Sequence, residues 1–209
     1  ATPSAGGQYR ITYVANSNIP PAAATLTLPA DGATDVDTAS TLTAALFSGS
    51  SASAVESGQT IESLTLTVSG LANGSNEVLS ADGTSVALTN GTSGTTTGGA
   101  SIQYAVSVSG TTATVTFTKA GNMTGAEVAT LVNGLKYQNT AGTPTSGNRV
   151  FALTQVKDSG GTADSGVDTT SLTASRTVSV VANDAPSVTG SDVSSTTTAS
   201  ASKGRDGPL

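Results

Sequence analysis

The chain alternates apolar and polar residues in several short segments. Ile61–Val68 has apolar side chains at positions 64, 66 and 68, with Thr or Ser between them. A period of two is typical of a strand with one face on a core. The segments 102–108 and 113–117 repeat the pattern, and Ser109-Gly-Thr-Thr112 between them predicts a hairpin turn. Asp82-Gly83 predicts a second hairpin turn in the same way.

One segment has helical spacing instead. Thr124 and Glu127 form the capping-box pattern, in which each side chain accepts a hydrogen bond from the other residue's backbone amide. Asn133-Gly134 predicts a left-handed stop to the helix. A helix of about ten residues is too short to be stable alone, so we expect it to pack on a sheet. The apolar positions of its predicted stripe are Val128, Leu131, Val132 and Leu135.

The later segments complete the predicted sheet. Asn148–Val156 has apolar residues on both sides, which favours a central strand covered on both faces. Ser175–Val181 is predicted as the last strand, and Pro186 ends the pairing. Many short strands with one helix predict an all-β fold, an antiparallel β-sandwich with one short helix.

The two ends of the chain differ from this body. Residues 1–24 are predicted to be an N-terminal arm, in which Tyr9–Val14 alternates like a strand and Pro20-Pro21 ends the pattern. Residues 25–187 are predicted to be the sandwich module, with its main body at 40–187. Residues 188–209 are rich in Ser and Thr and have no apolar face, which indicates a linker or tail.

Composition narrows the possible chemistry. The 209 residues include no His and no Cys, and aromatic residues make up 3% of the chain. The absence of His and Cys excludes Ser-His-Asp and Cys-His catalysis as well as zinc sites built on His or Cys. Eight Lys and Arg against fourteen Asp and Glu give a net charge of −6 without a basic stripe, so nucleic acid is not an expected partner. Apolar runs are too short for membrane insertion, and the low charge with abundant Thr and Ser favours an exported, extracellular protein.

Several segments together resemble a known family. They are Val55-Glu-Ser-Gly-Gln59, Leu64-Thr-Leu-Thr-Val-Ser-Gly-Leu71, Thr130-Leu-Val-Asn-Gly-Leu-Lys-Tyr-Gln-Asn-Thr140, Asp158-Ser-Gly-Gly-Thr162 and Val181-Ala-Asn-Asp-Ala-Pro186. In this order they resemble the cadherin-like, Ig-like repeats of giant bacterial surface proteins, the type I-secreted (RTX-type) adhesins. The resemblance covers about residues 40–187.

The resemblance implies an Ig/cadherin-like sandwich at the cell surface that spaces or presents a binding region and contacts neighbouring modules. Calcium often stiffens the junctions of such modules. We therefore expect a non-catalytic adhesive or structural module. Two alternatives stay open. The arm favours a filament or virion subunit assembled by N-terminal strand donation, and the module could instead bind a peptide or a glycan.

The candidate calcium ligands lie mainly in one loop. Asp158, Asp164 and Asp168 share it with several glycines, and a flexible loop can wrap carboxylates and carbonyls around calcium. The spacing is not that of an EF-hand, and Asp and Gly also simply form turns. By the resemblance, Asn183 and Asp184 would bind calcium at a junction, with Glu56 contributed from the opposite end of the body.

The remaining polar and aromatic candidates have structural explanations. Glu77 and Asp82 show no partner in the sequence and are expected to face water. Tyr104 and Tyr137 are expected in the core rather than on a sugar-binding surface, because the chain is poor in aromatic residues.

Overall fold

A computed structural model describes residues 25–27, 34–36, 43–54, 56–163 and 166–180. The predicted arm and tail lie outside these ranges. In chain order the strands are β1 (Thr25–Thr27), β2 (Thr34–Val36), β3 (Ala44–Ala45), β4 (Ser51–Ser53), β5 (Ile61–Ser69), β6 (Glu77–Ala81), β7 (Thr84–Ala87), β8 (Ser93–Thr95), β9 (Gln103–Ser109), β10 (Thr112–Met123), β11 (Lys136–Asn139), β12 (Gly147–Asp158) and β13 (Thr169–Val180). A 3-10 turn at Gly74–Asn76 precedes β6, and helix α1 (Gly125–Gly134) follows β10.

The larger sheet has seven strands in the order β2-β13-β12-β5-β10-β9-β8. Every pair between β13 and β8 is antiparallel, whereas β2 runs parallel to β13. The alternation predicted for β5 is confirmed, because Leu64, Leu66 and Val68 are buried and the residues between them are partly exposed. This buried face forms one wall of the core.

The second wall is a sheet of four strands in the order β3-β11-β6-β7. The predicted hairpin joins β6 to β7, and both Asp82 and Gly83 have positive φ, as a tight hairpin turn requires. Leu79, Val86 and Tyr137 of this sheet are buried in the same core as the apolar face of the larger sheet. The fold is therefore an all-β sandwich with one short helix, as the sequence predicts.

Helix α1 packs against β4, which pairs with β1 in a separate two-stranded ribbon. The predicted capping box is present: Glu127 N–H donates to the Thr124 hydroxyl at 3.2 Å, and Thr124 N–H donates to the Glu127 carboxylate at 2.8 Å. Lys119 and the Thr124 amide, both donating to this carboxylate, hold the pKa of Glu127 below its usual value. Val128, Leu131 and Val132 are buried, so the predicted stripe faces the core.

The predicted end of the helix is wrong in one detail. The backbone of Gly134 is not left-handed, and Leu135, the residue after it, is extended with φ −65° and ψ 129°. The Asn133 side chain instead accepts a hydrogen bond from Ser50 N–H at 2.9 Å and donates to the Ser50 carbonyl at 3.4 Å. The helix ends with Leu135 N–H donating to the Val132 carbonyl at 3.2 Å, without a left-handed residue.

The outer face of the larger sheet is lined mainly by small polar side chains. Thr65 and Thr67 of β5 lie opposite Thr116 and Thr114 of β10, and all four are partly exposed. Strand β12 is central, as predicted, but only its inner face is fully covered. Residues 150, 152 and 154 on its outer side are partly exposed, which corrects the prediction that both faces are covered.

Candidate functional site

The structure brings two of the predicted calcium ligands together at one end of the larger sheet. Asp158, the last residue of β12, is fully buried, and its N–H donates to the Asp168 carbonyl at 2.8 Å. The Asp158 carboxylate accepts a hydrogen bond from Gly160 N–H at 2.8 Å. The Asp168 carboxylate accepts one from the Thr169 hydroxyl at 2.9 Å. Both side chains therefore help to fix the loop that joins β12 to β13.

Glu56 lies on a neighbouring segment. Its carboxylate accepts a hydrogen bond from the Gln59 side-chain amide at 2.5 Å. The segment adjoins the loop through Ser159, whose N–H donates to the Thr60 carbonyl at 2.9 Å and whose hydroxyl accepts from Thr60 N–H at 3.0 Å. Hydrogen bonds between Ser159 and Thr60 thus link the two segments, whereas the Glu56 carboxylate bonds to Gln59 within its own segment.

A basic side chain that the sequence did not single out lies between two acidic ones. The Lys157 ammonium donates to the Glu62 carboxylate and is 3.6 Å from the Asp168 carboxylate. The hydrogen bond to Glu62 raises the pKa of Lys157 above its usual value. Glu62 and Lys157 are 95 residues apart, and only the pairing of β5 with β12 brings them together. The Asp168 carboxylate therefore has a positively charged side chain, that of Lys157, beside it.

These contacts bear on the predicted calcium site. Calcium takes about six to eight oxygen ligands. In the part of the chain that the structure describes, no three acidic side chains come together as metal ligands. Asp158 and Asp168 supply two carboxylates toward this number, and Lys157 lies beside Asp168. Asp164, Asn183 and Asp184 lie outside the described residues. The prediction that the loop binds calcium therefore depends on Asp164. The prediction that calcium binds at a junction depends on Asn183 and Asp184.

A second polar cluster is centred on buried side chains. Glu77, which was expected to face water, has a side chain that is 0% exposed, and the prediction is wrong. One of its carboxylate oxygens accepts from Arg149 Nε at 2.6 Å and from the Tyr137 hydroxyl at 2.9 Å. The other accepts from the backbone N–H groups of Ala72 at 2.9 Å and Asn73 at 3.3 Å. All of these donors compensate for the burial of the carboxylate.

Arg149 makes three further hydrogen bonds through its two Nη groups. They reach the Gly147 carbonyl at 3.1 Å, the Thr145 carbonyl at 3.0 Å and the Asn73 side-chain oxygen at 3.1 Å. Arg149 belongs to the larger sheet and Glu77 to the smaller one, so the ion pair joins the two walls of the sandwich. We call Glu77, Tyr137, Arg149 and Asn73 the buried polar network.

Tyr137 connects this network to the apolar core. Its position in the core was predicted and is confirmed, since its side chain is 0% exposed and its ring lies 5.1 Å from that of Phe151. Burial, and after it the charge of Glu77, raises the pKa of the Tyr137 hydroxyl above its usual value. The hydroxyl therefore remains a donor to Glu77. Tyr104 is partly buried against the same core.

A shallow groove of about 380 Å³ lies between α1 and the turn that joins β6 to β7. Ala100, Ile102 and Leu131 give it an apolar floor, and Asp82 is at its rim. Asp82, which was expected to face water, is half-buried, and its carboxylate accepts from the Thr96 hydroxyl at 2.6 Å. The expectation is therefore wrong in part, because this carboxylate also holds the loop that follows β8.

None of the helices in the described part of the chain is long and apolar enough to cross a membrane. Comparison of the chain with family models, curated proteins and solved structures finds no match.

Proposed function

We propose that this chain is a non-catalytic, load-bearing module of an extracellular bacterial surface protein, in which it spaces or presents a binding region. The sequence resemblance to adhesin repeats suggests this role. The structural observation that supports it is the parallel pairing of β2 with β13. Thr34, Asp35 and Val36 lie opposite Val178, Ser179 and Val180, the last three residues of the described chain.

The direction of the two strands decides how they respond to tension. Force applied through the N-terminal end first separates the short β1–β4 pair and then draws β2 backwards along its axis, whereas force through the C-terminal end draws β13 forwards. Because the strands are parallel, these two movements are opposed, and the hydrogen bonds between the strands are loaded together. In an antiparallel hairpin pulled from its two ends, the bonds would instead open one after another.

Two further features suit a module that only bears load. The buried ion pair of Glu77 and Arg149 ties one sheet to the other, so that the sheets resist separation. The sequence contains no His or Cys, which removes the side chains most often used as general base and as thiolate nucleophile. The enclosed carboxylate of Glu77 is held by four donors and has no route to a substrate.

Single-molecule force spectroscopy tests the proposal in one protein. The full chain is pulled first from its two ends and then from a cysteine introduced at exposed Thr111 and the C-terminal end. Thr111 and Val180 lie at the same end of the larger sheet, so the second geometry peels the strands apart. We expect a clearly higher unfolding force for end-to-end pulling. An equal or lower force in that geometry would contradict a load-bearing role.

Calcium is a separate prediction of the same proposal. If the loop between β12 and β13 binds calcium with Asp164, the folded state gains stability by mass action. We expect a higher melting midpoint in millimolar calcium than in chelator, no such shift with magnesium, and loss of the shift in Asp164→Asn. Equal melting midpoints with calcium and with chelator would contradict calcium binding by the isolated chain, and the mechanical prediction would be unaffected.

A further inference from the structure

The groove between α1 and the turn that joins β6 to β7 lies along one side of the helix. Ala126, Thr130 and Gly134 are spaced four residues apart on this side, and all three are exposed. Because their side chains are small or absent, a space of about 380 Å³ remains above the buried side chains of Ile102 and Leu131. Every residue that lines the groove belongs to the described part of the chain. The groove is therefore an open and mainly apolar surface.

The Asp82 carboxylate is held in a fixed position at the rim of this groove. Its Oδ2 atom accepts hydrogen bonds from the Thr96 hydroxyl at 2.6 Å and from Ala100 N–H at 3.3 Å. The Asp82 carbonyl accepts another from Gly98 N–H at 2.7 Å. In the described part of the chain, the Oδ1 atom has no hydrogen-bond donor. The loop therefore orients the carboxylate and leaves one of its oxygens for a ligand.

The charge of Asp82 is also uncompensated. Glu127, the other carboxylate that lines the groove, forms an ion pair with Lys119. No Lys or Arg is among the lining residues, and no Lys or Arg that the structure describes pairs with Asp82. An apolar groove with one uncompensated negative charge at its rim is complementary to an aliphatic stem that ends in a positive charge.

We propose that this groove binds a lysine side chain of a partner protein. The stem would pack on Ala100 and Ala126, and the ammonium would donate to Asp82 Oδ1. Arginine would gain less here, because its guanidinium binds a carboxylate best through both oxygens and Oδ2 is already occupied. The shallow groove suits a side chain that enters from the surface of another protein. This inference goes beyond the load-bearing role, which needs no ligand, so its failure would leave that role unaffected.

NMR titration of the isotope-labelled full chain tests the proposal with a defined probe. The probe is a short peptide of alanine with one central lysine, capped at both ends. We expect saturable shifts of the backbone signals of Ala100, Ala126 and Thr130, and weaker binding at higher salt. The same peptide with its lysine acetylated keeps the stem but lacks the charge, and it should cause no saturable shifts.

Two variants separate the charge of the groove from its shape. Asp82→Asn keeps an oxygen for Thr96 and Ala100 and tolerates the positive φ of this position, so the loop should be retained. It should bind the lysine peptide about tenfold more weakly. Thr130→Leu keeps the charge but fills the groove, and it should abolish binding. Glu62→Gln removes an acid that does not line the groove and is the matched control, with unchanged binding.

The proposal would be overturned if the lysine peptide caused no saturable shifts at the groove, or if its acetylated form bound equally well. It would also be overturned if Asp82→Asn or Thr130→Leu bound as tightly as the natural chain, or if an arginine peptide bound more tightly than the lysine peptide. Binding that appeared only after deletion of residues 1–24 would identify the chain's own arm as the occupant and would equally overturn the proposal.

Discussion

Replacing Arg149 with Met should cost this protein much of its stability. The change keeps an apolar stem of similar reach up to the Nε position but removes the guanidinium and its four hydrogen bonds, including the 2.6 Å contact with Glu77. The Glu77 carboxylate would then remain fully enclosed with three donors and no compensating charge. Breaking one side of a buried ion pair typically costs about 3–5 kcal/mol. For a chain of this size that corresponds to a melting midpoint roughly 10 °C lower.

Urea unfolding measures the loss, provided that the dependence on urea is the same in both proteins. Lys157→Met is a matched control on the same strand, because its ion pair with Glu62 is partly exposed to solvent and should contribute far less. Adding Glu77→Gln to Arg149→Met should restore part of the stability, since it removes the uncompensated charge while the amide oxygen can still accept from the N–H groups of Ala72 and Asn73.

Two results would refute this reasoning. If Arg149→Met lost no more stability than Lys157→Met, the pair would not hold the two sheets together. If the double variant were no more stable than Arg149→Met alone, the cost would arise from lost packing and not from a buried charge.

Two further predictions concern the core and the helix. Because the pKa of Tyr137 is raised, the folded state keeps this proton to higher pH than the unfolded state, so stability should fall above about pH 10 by up to ~1.4 kcal/mol per pH unit. Tyr137→Phe should flatten this part of the slope in urea titrations; an unchanged slope would contradict the assignment. Gly125→Ala should cost about 1–3 kcal/mol, because its Cβ would lie 2.0 Å from the Ala52 carbonyl oxygen. Gly134→Ala, on the same helix with open space around it, should be neutral or stabilising in the same assay, and equal losses at both positions would rule out the clash.

Local patterns predicted several elements correctly because their causes lie within a few residues. The cap of α1 depends on two residues three positions apart, and the hairpin between β6 and β7 depends on Asp82-Gly83. The strand over 61–69 follows from its own alternation. The left-handed stop predicted at Asn133-Gly134 is wrong, and the sequence around Asn133 also gave no sign that its side chain bonds to Ser50, 83 residues away.

The candidate site was harder to predict. The sequence predicted Asp158 and Asp168 as calcium ligands, which stays a prediction, but it did not show that Lys157 lies beside Asp168 or that Glu62 pairs with Lys157. Nothing near Glu77 indicates its burial, because its main partner is Arg149, 72 residues away. In a sequence, a buried acidic residue cannot be told from an exposed one, because the basic residue that pairs with it lies on a different element far along the chain.

The sequence by itself determined the β-rich class, the position of the helix and the absence of His and Cys chemistry, since these depend on composition and short-range periodicity. Only the tertiary structure decided the order of the strands, the parallel placement of β2 on β13 and the enclosure of the Glu77–Arg149 pair. These features depend on contacts between segments far apart in the chain. Alternation shows that a segment has two faces, but not which other segment will cover one of them.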